Sequence, residues 1–153
     1  MKKIIVLLAL VLIAGTSAFA QKIPSEKVPA AVKQAFKKQF AKATSPKWEM
    51  ENKDYEVHFK LDDTESSANF DATGKWLETE TEIKYETLPV AVKAKITKTF
   101  AGYKAGETNK VETLDKGILY EVELSKATEK IEVQFTKDGE VKNRKVENKK
   151  EKD

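Results

Sequence analysis

Residues 28–40 read VPAAVKQAFKKQF, and residues 88–100 read LPVAVKAKITKTF. At an offset of 60 they match at Val28/Leu88, Pro29/Pro89, Ala31/Ala91, Val32/Val92, Lys33/Lys93, Phe36/Ile96, Lys38/Lys98 and Phe40/Phe100. The apolar positions 28, 32, 36 and 40, like 88, 92, 96 and 100, recur at every fourth residue. That spacing lines one face of a helix. Pro29 and Pro89 suit a first turn, where the missing N–H has no helical partner. Ser25 and Thr87 are capping candidates. Ser45-Pro46 is expected to stop the first helix and Gly102 the second.

Outward from the helices the match continues. Tyr55-Glu56-Val57 repeats as Tyr120-Glu121-Val122 at an offset of 65, which also aligns Phe70 with Phe135 and Gly74 with Gly139. One five-residue length difference, between the helix and the Tyr-Glu-Val strand, accounts for both offsets. Tyr55, Val57, Phe59 and Leu61 alternate with polar residues, as do Ile131, Val133 and Phe135, and Ile118, Tyr120, Val122 and Leu124 share one parity. A period of two marks strands with one buried and one wet face. Trp48/Met50 and Val111/Thr113 suggest a leading strand in each copy, and residues 75–83 and 140–146 a closing one. Asn52-Lys53-Asp54, Asp62-Asp63-Thr64, Thr73-Gly74, Asp115-Lys116-Gly117 and Asp138-Gly139 are turn signals. The expected fold class is α+β: a tandem repeat of one helix followed by about four antiparallel strands, with both helices packed on one face of the sheet or sheets. The repeats are placed at residues 21–86 and 87–146. Alternation does not decide whether they form one continuous sheet. Residues 147–153 lose periodicity and are expected to form a charged, disordered tail.

The first twenty residues have a different character. Lys2 and Lys3 precede the apolar run IIVLLALVLIA at residues 4–14, and Ala18-Phe19-Ala20 offers a small-x-small cleavage site. This is the pattern of a cleaved signal peptide over residues 1–20, and the run is shorter than the roughly 20 residues a spanning anchor needs. No stable membrane anchor is expected after cleavage. The protein is expected in the periplasm or secreted. The chain has no cysteine, which excludes a disulfide framework, a thiol nucleophile and a lipoprotein anchor. Its formal charge of +3 falls to about +1 without Lys2 and Lys3. That near balance argues against a nucleic-acid partner, which calls for a clustered basic excess.

The (Val/Leu)-Pro-x-Ala-Val-Lys helix openings, the central Tyr-Glu-Val strands and the Phe-x-x-x-Gly hairpins resemble the PepSY-like family of small exported bacterial proteins, also described as beta-lactamase-inhibitor-like. The resemblance spans about residues 24–146. It implies inhibitory or regulatory protein binding, as proposed for related domains in protease propeptides and exported modules. The beta-lactamase inhibitor protein grips an enzyme with a sheet face. The family supplies no catalytic residues.

The residues themselves carry little catalytic chemistry. His58 is the single histidine, so any serine triad would have to use it. It stands among Glu56 and Lys60 on the polar side of its strand, where a solvated histidine is ordinary. No spacing favours a carboxylate acid–base pair. One histidine and no cysteine leave no zinc signature, and Asp62-Asp63-Thr64-Glu65 reads as a turn rather than a calcium loop. No enzyme activity, metal or cofactor is expected. Charge is more informative. Lys33, Lys37, Lys38 and Lys42 crowd the first helix region and Lys93, Lys95 and Lys98 the second, with no acid between. The strand residues assigned away from the core are largely acidic: Glu49, Glu51, Glu56, Glu78, Glu80, Glu82, Glu112, Glu121, Glu123 and Glu132. Trp76 shares the parity of Glu78, Glu80 and Glu82. The expected binding surface is therefore an open acidic sheet face carrying Trp76, Glu78, Glu80, Glu82, Glu56, His58, Glu121 and Glu123. The expected partner is another exported or envelope protein. The alternative is a cation or small cationic ligand held by the same face.

Overall fold

The computed structural model describes residues 21–51 and 53–147, without the side chains of Glu51 and Glu147. The expected signal peptide and the last six residues of the expected tail lie outside the described residues. The chain runs β1 (Gln21–Ile23), α1 (Ala30–Gln39), β2 (Thr44–Glu51), β3 (Asp54–Leu61), β4 (Thr64–Phe70) and β5 (Trp76–Glu82). It continues through α2 (Val90–Thr99), β6 (Lys104–Thr113), β7 (Gly117–Lys126), β8 (Glu129–Phe135) and β9 (Val141–Glu147).

The expected α+β tandem array is corrected here. The strands form one nine-stranded antiparallel sheet in sequential order, and the helices are only ten residues each, so the protein is mostly β. The join is β5 to β6, which pair from Glu78↔Thr113 to Glu82↔Asn109. Strands at the edge of a unit expose unpaired N–H and C=O groups, and pairing with each other satisfies them. A further strand, β1, precedes the first helix and pairs with β2. It was too short for alternation to reveal.

Each helix closes a separate oily patch. Val28, Val32 and Phe36 pack on Trp48, Val57, Phe59, Ala68 and Phe70. Phe36 meets Trp48 edge-on at 5.5 Å and Phe59 at 5.1 Å between ring centroids, favourable aromatic geometry. Leu88, Val92, Ile96 and Phe100 pack on Val122, Leu124, Ile131, Val133 and Phe135. The register Val57–Ala68–Thr79–Glu112–Ile118 crosses the sheet without a break, so both helices lie on the same face. Between the patches that face is polar. Thr79, Thr81, Lys110 and Glu112 form a seam, with Lys110 and Glu112 ion-paired. The two cores thus communicate through backbone ladders rather than through shared oil.

Local signals behave unevenly. Neither Ser25 nor Thr87 caps a helix; Pro29 and Pro89 are the N-caps, and their carbonyls receive Lys33 N–H and Lys93 N–H at 3.1 Å. Ser45-Pro46 lies inside β2 rather than ending α1, where the register shifts between Thr44 and Lys47 and Ser45 has φ 54°. Asp62 and Asp63 are the two central residues of the β3–β4 hairpin, with φ of 50° and 65°. Two positive φ values are what a two-residue hairpin turn demands.

Gly74 and Gly139 hold the turns before β5 and β9 against the helix starts. A Cβ at Gly74 would lie 2.7 Å from the Ala31 carbonyl oxygen, and one at Gly139 would lie 2.6 Å from that of Ala91. Their φ values are +86° and +81°. Gly117 has φ +72° with open space around it. Left-handed backbone costs an alanine about 1–2 kcal/mol. Gly117→Ala is therefore expected to destabilise by about 1 kcal/mol, and Gly74→Ala and Gly139→Ala by about 3 kcal/mol each, because the opposing atom is rigid helix backbone. Urea midpoints of the three variants check this; equal losses would remove the close-approach argument.

Candidate binding face

Antiparallel pairing sends every second side chain to the face away from the helices. One cross-strand row there is Lys47–His58–Ser67–Glu80–Val111–Leu119. A neighbouring row is Glu49–Glu56–Asn69–Glu78–Thr113, and another is Glu82–Asn109–Glu121–Gln134–Asn143. Glu123 and Glu132 pair beyond. The face thus gathers Glu56, His58, Glu78, Glu80, Glu82, Glu121 and Glu123 from three strands. Val111 and Leu119 are 0% and 3% exposed within it and belong to neither helix-covered core.

Two of the expected acidic-face residues are elsewhere, and the reasons are geometric. The β4–β5 register shifts between Asn69 and Phe70, so Trp76 stands opposite Phe70, with Leu77 extra in the ladder. A bulge of this kind reverses which face a side chain takes. Trp76 packs against the first core, its indole N–H donating to Thr79 Oγ1 at 2.8 Å. Glu112 pairs with Thr79 and Ile118 on the helix side. The side chain of Glu51 lies outside the described residues. Missed by the sequence reading were Glu65, Glu107, Ser67 and Asn109. Alternation from Glu56 through the β3–β4 hairpin could have found Glu65. Glu107 is hidden by the register shift between Ala105 and Thr108.

The face is acidic at its middle and mixed toward its outer strands. Lys60 pairs with Glu65 at 3.1 Å, Lys130 with Glu123 at 2.6 Å and Lys145 with Glu132 at 3.5 Å. Gln134 Nε2 donates to Glu121 at 2.8 Å, and Asn69 Nδ2 to Glu78 at 3.2 Å. In the middle, a hollow of about 150 Å³ is lined by Glu56, His58, Glu65, Ser67, Glu80 and Glu82, among others. Burial, then the charges of Glu121, Glu78, Glu56 and Glu132, push the Glu80 carboxyl from its ordinary 4.5 up to about 7. The hydrogen bond that His58 donates to Glu56 raises the imidazole and holds the Glu56 carboxyl below its usual range. Their Nε2–Oε1 separation is 3.5 Å. A mixed donor set that could hold a metal ion lies toward β2: donor atoms of Glu49, Glu56 and His58 all come within 4.8 Å of one another.

The family model described as "Putative beta-lactamase-inhibitor-like, PepSY-like" matches residues 16–66 and again residues 60–143. The chain belongs to this family, as the helix openings, Tyr-Glu-Val strands and glycine hairpins indicated. Among solved structures it is similar to a BLIP-like protein from Bacteroides fragilis, at 25% identity and TM-score 0.70, covering 86% of this chain and 93% of that one. It is also similar to a protein from Bacteroides eggerthii described as a putative periplasmic protein, at 20% identity and TM-score 0.73, covering 78% and 88%. A DUF2874 family protein from Bacteroides uniformis aligns at 22% identity and TM-score 0.72, over 77% and 88%. No curated protein matches the chain. Neither the family nor these neighbours indicates a catalytic activity.

Glu80 makes a directional stability prediction. Its folded pKa lies above the unfolded value, so its contribution is complete below pH 4.5 and is lost as pH rises through about 7. The expected loss across that window is about 3 kcal/mol. Glu80→Gln is expected to flatten the decline and to melt above the wild type at about pH 8. Thermal melts across the window test it, and parallel pH profiles for the two proteins would refute it.

Proposed function

We propose that this protein is an exported, non-catalytic binding module whose acidic sheet face receives a positively charged surface of another exported or envelope protein. The observation that carries the reading is the convergence of Glu56, Glu78, Glu80, Glu82, Glu121 and Glu123 on the face opposite both helices. Carboxylates repel one another and lose hydration when gathered, so such a face is held at a cost in folding stability. An oppositely charged partner relieves that repulsion and is steered to the face as it approaches. The mature charge is only about +1, so segregation of charge, not net charge, supplies the field. Export rests on the residue 1–20 leader pattern. Among the described residues no helix is long and apolar enough to cross a membrane.

A second reading places a small cationic ligand in the hollow beside Glu80. It is favoured by that hollow's size and acidic lining.

Capture from an envelope extract tests the first reading. The bound protein is expected to be released near about 0.5 M salt, where the Debye length falls to about 4 Å. The double variant Glu80→Lys/Glu121→Lys is expected to abolish capture, while Lys37→Glu/Lys98→Glu on the helix side retains it. Capture unchanged by the first pair would sink the assignment of the face. Release by free arginine at constant ionic strength would favour the second reading.

A further inference from the structure

Glu49 on β2 and Glu56 on β3 are direct partners in the antiparallel register. Like charges placed opposite one another weaken a sheet, and both residues are half-buried. His58 follows Glu56 by two residues, so its imidazole leaves the same face. Donor atoms of the three side chains lie within 4.8 Å of one another. By register, Lys22 is opposite Glu49 and Lys47 opposite His58. Among the described residues neither lysine closes an ion pair with Glu49 or Glu56.

We propose that Glu49, Glu56 and His58 form a three-donor site for a divalent transition ion of the zinc class. Zinc takes imidazole nitrogen and carboxylate oxygen at about 2.0–2.2 Å, which sets donors about 3.5 Å apart in a tetrahedron. His58 Nε2 and Glu56 Oε1 are already at 3.5 Å. The His58 side chain is 46% exposed, so small rotations can close the remainder without moving backbone. Two adjacent hydrogen-bonded strands carry all three donors, a more rigid support than a loop. The imidazole is the selective element, because calcium and magnesium favour all-oxygen sets while zinc, copper and nickel accept nitrogen. An ion here would neutralise the opposed carboxylates, and its remaining coordination positions would stay open to water. Zinc binds the neutral imidazole, so protons compete with it and affinity falls as the pH is lowered. The charged and polar groups facing His58 are Lys47 and Glu49 from β2, Glu56 and Lys60 on its own strand, Ser67 from β4 and Glu80 from β5. Flanking lysines place the expected affinity in the micromolar range rather than tighter.

This site goes beyond the docking reading and does not depend on it, since its probe is the metal alone. The full chain is titrated with zinc chloride by calorimetry at about pH 7.5, with parallel NMR of the single imidazole. One saturable equivalent is expected, with the His58 resonances moving in step. His58→Gln and Glu49→Gln are each expected to weaken binding at least about tenfold while melting normally in chelator. Calcium in excess is expected to leave the imidazole resonances in place. Four results overturn the proposal: no saturation below about 1 mM, an unmoved imidazole, zinc binding indifferent to either substitution, or calcium acting as zinc does.

Discussion

The ladder between β5 and β6 is the contact on which the rest of the molecule depends. Glu78 to Glu82 pair with Asn109 to Thr113, and those five residue pairs join two cores that share no oil. On the helix side the joint is polar, carried by Thr79, Thr81, Lys110 and Glu112. On that side its strength comes from backbone hydrogen bonds, and its apolar burial is confined to Val111 and Leu119 on the opposite face. On the opposite side the same ladder brings Glu80 within reach of Glu121, from the other half of the chain. The acidic middle of the open face exists because of the joint.

That placement has an electrostatic consequence. A carboxylate alone on a wet sheet keeps its ordinary acidity. Glu80 stands between Ser67 and Val111 in its row, with Leu119 buried beyond, so it has apolar neighbours as well as acidic ones. Desolvation and like charge act in the same direction on an acid, and both raise it. Lysines pair with Glu65, Glu123 and Glu132 around it, whereas among the described residues Glu80 has no ion-pair partner. A face arranged for solubility alone would mix the signs throughout.

Much of this was legible in the residues. The four-residue spacing found both helix faces, and the two-residue spacing found the core side of β3, β7 and β8, because neither depends on distant parts of the chain. Phe70 and Phe135, aligned by the offset of 65, are both fully buried. What failed was parity after an irregularity. Trp76 follows a hairpin whose bulge inserts Leu77, and one inserted residue sends the indole to the other face. Glu112 failed through the length of a hairpin. Trp48 pairs with Val57, and Thr108 with Val122, so the second hairpin spans five more residues. The equivalent of Trp48 in β6 is therefore Thr108, and the helix-side positions run 108, 110, 112. Reading Val111 and Thr113 as core-facing reversed them, since apolar character alone cannot tell a residue under a helix from one buried in a polar face.

The same ambiguity explains why the joint itself was not visible. A strand paired on both edges and polar on both faces carries no hydrophobic period, and residues 78–82 of β5, ETETE, have that composition. Its threonines face the helices across the polar seam and its glutamates face outward, so alternation is present but neither parity is oily. Threonine favours strands through its branched Cβ, and that preference suits β5 to a position where no core selects a face. The glutamates are not needed to form the ladder, because the backbone makes it. Their clustering is thus a property separable from the fold, which is why changes at Glu80 can be read as changes in the face and not in the architecture.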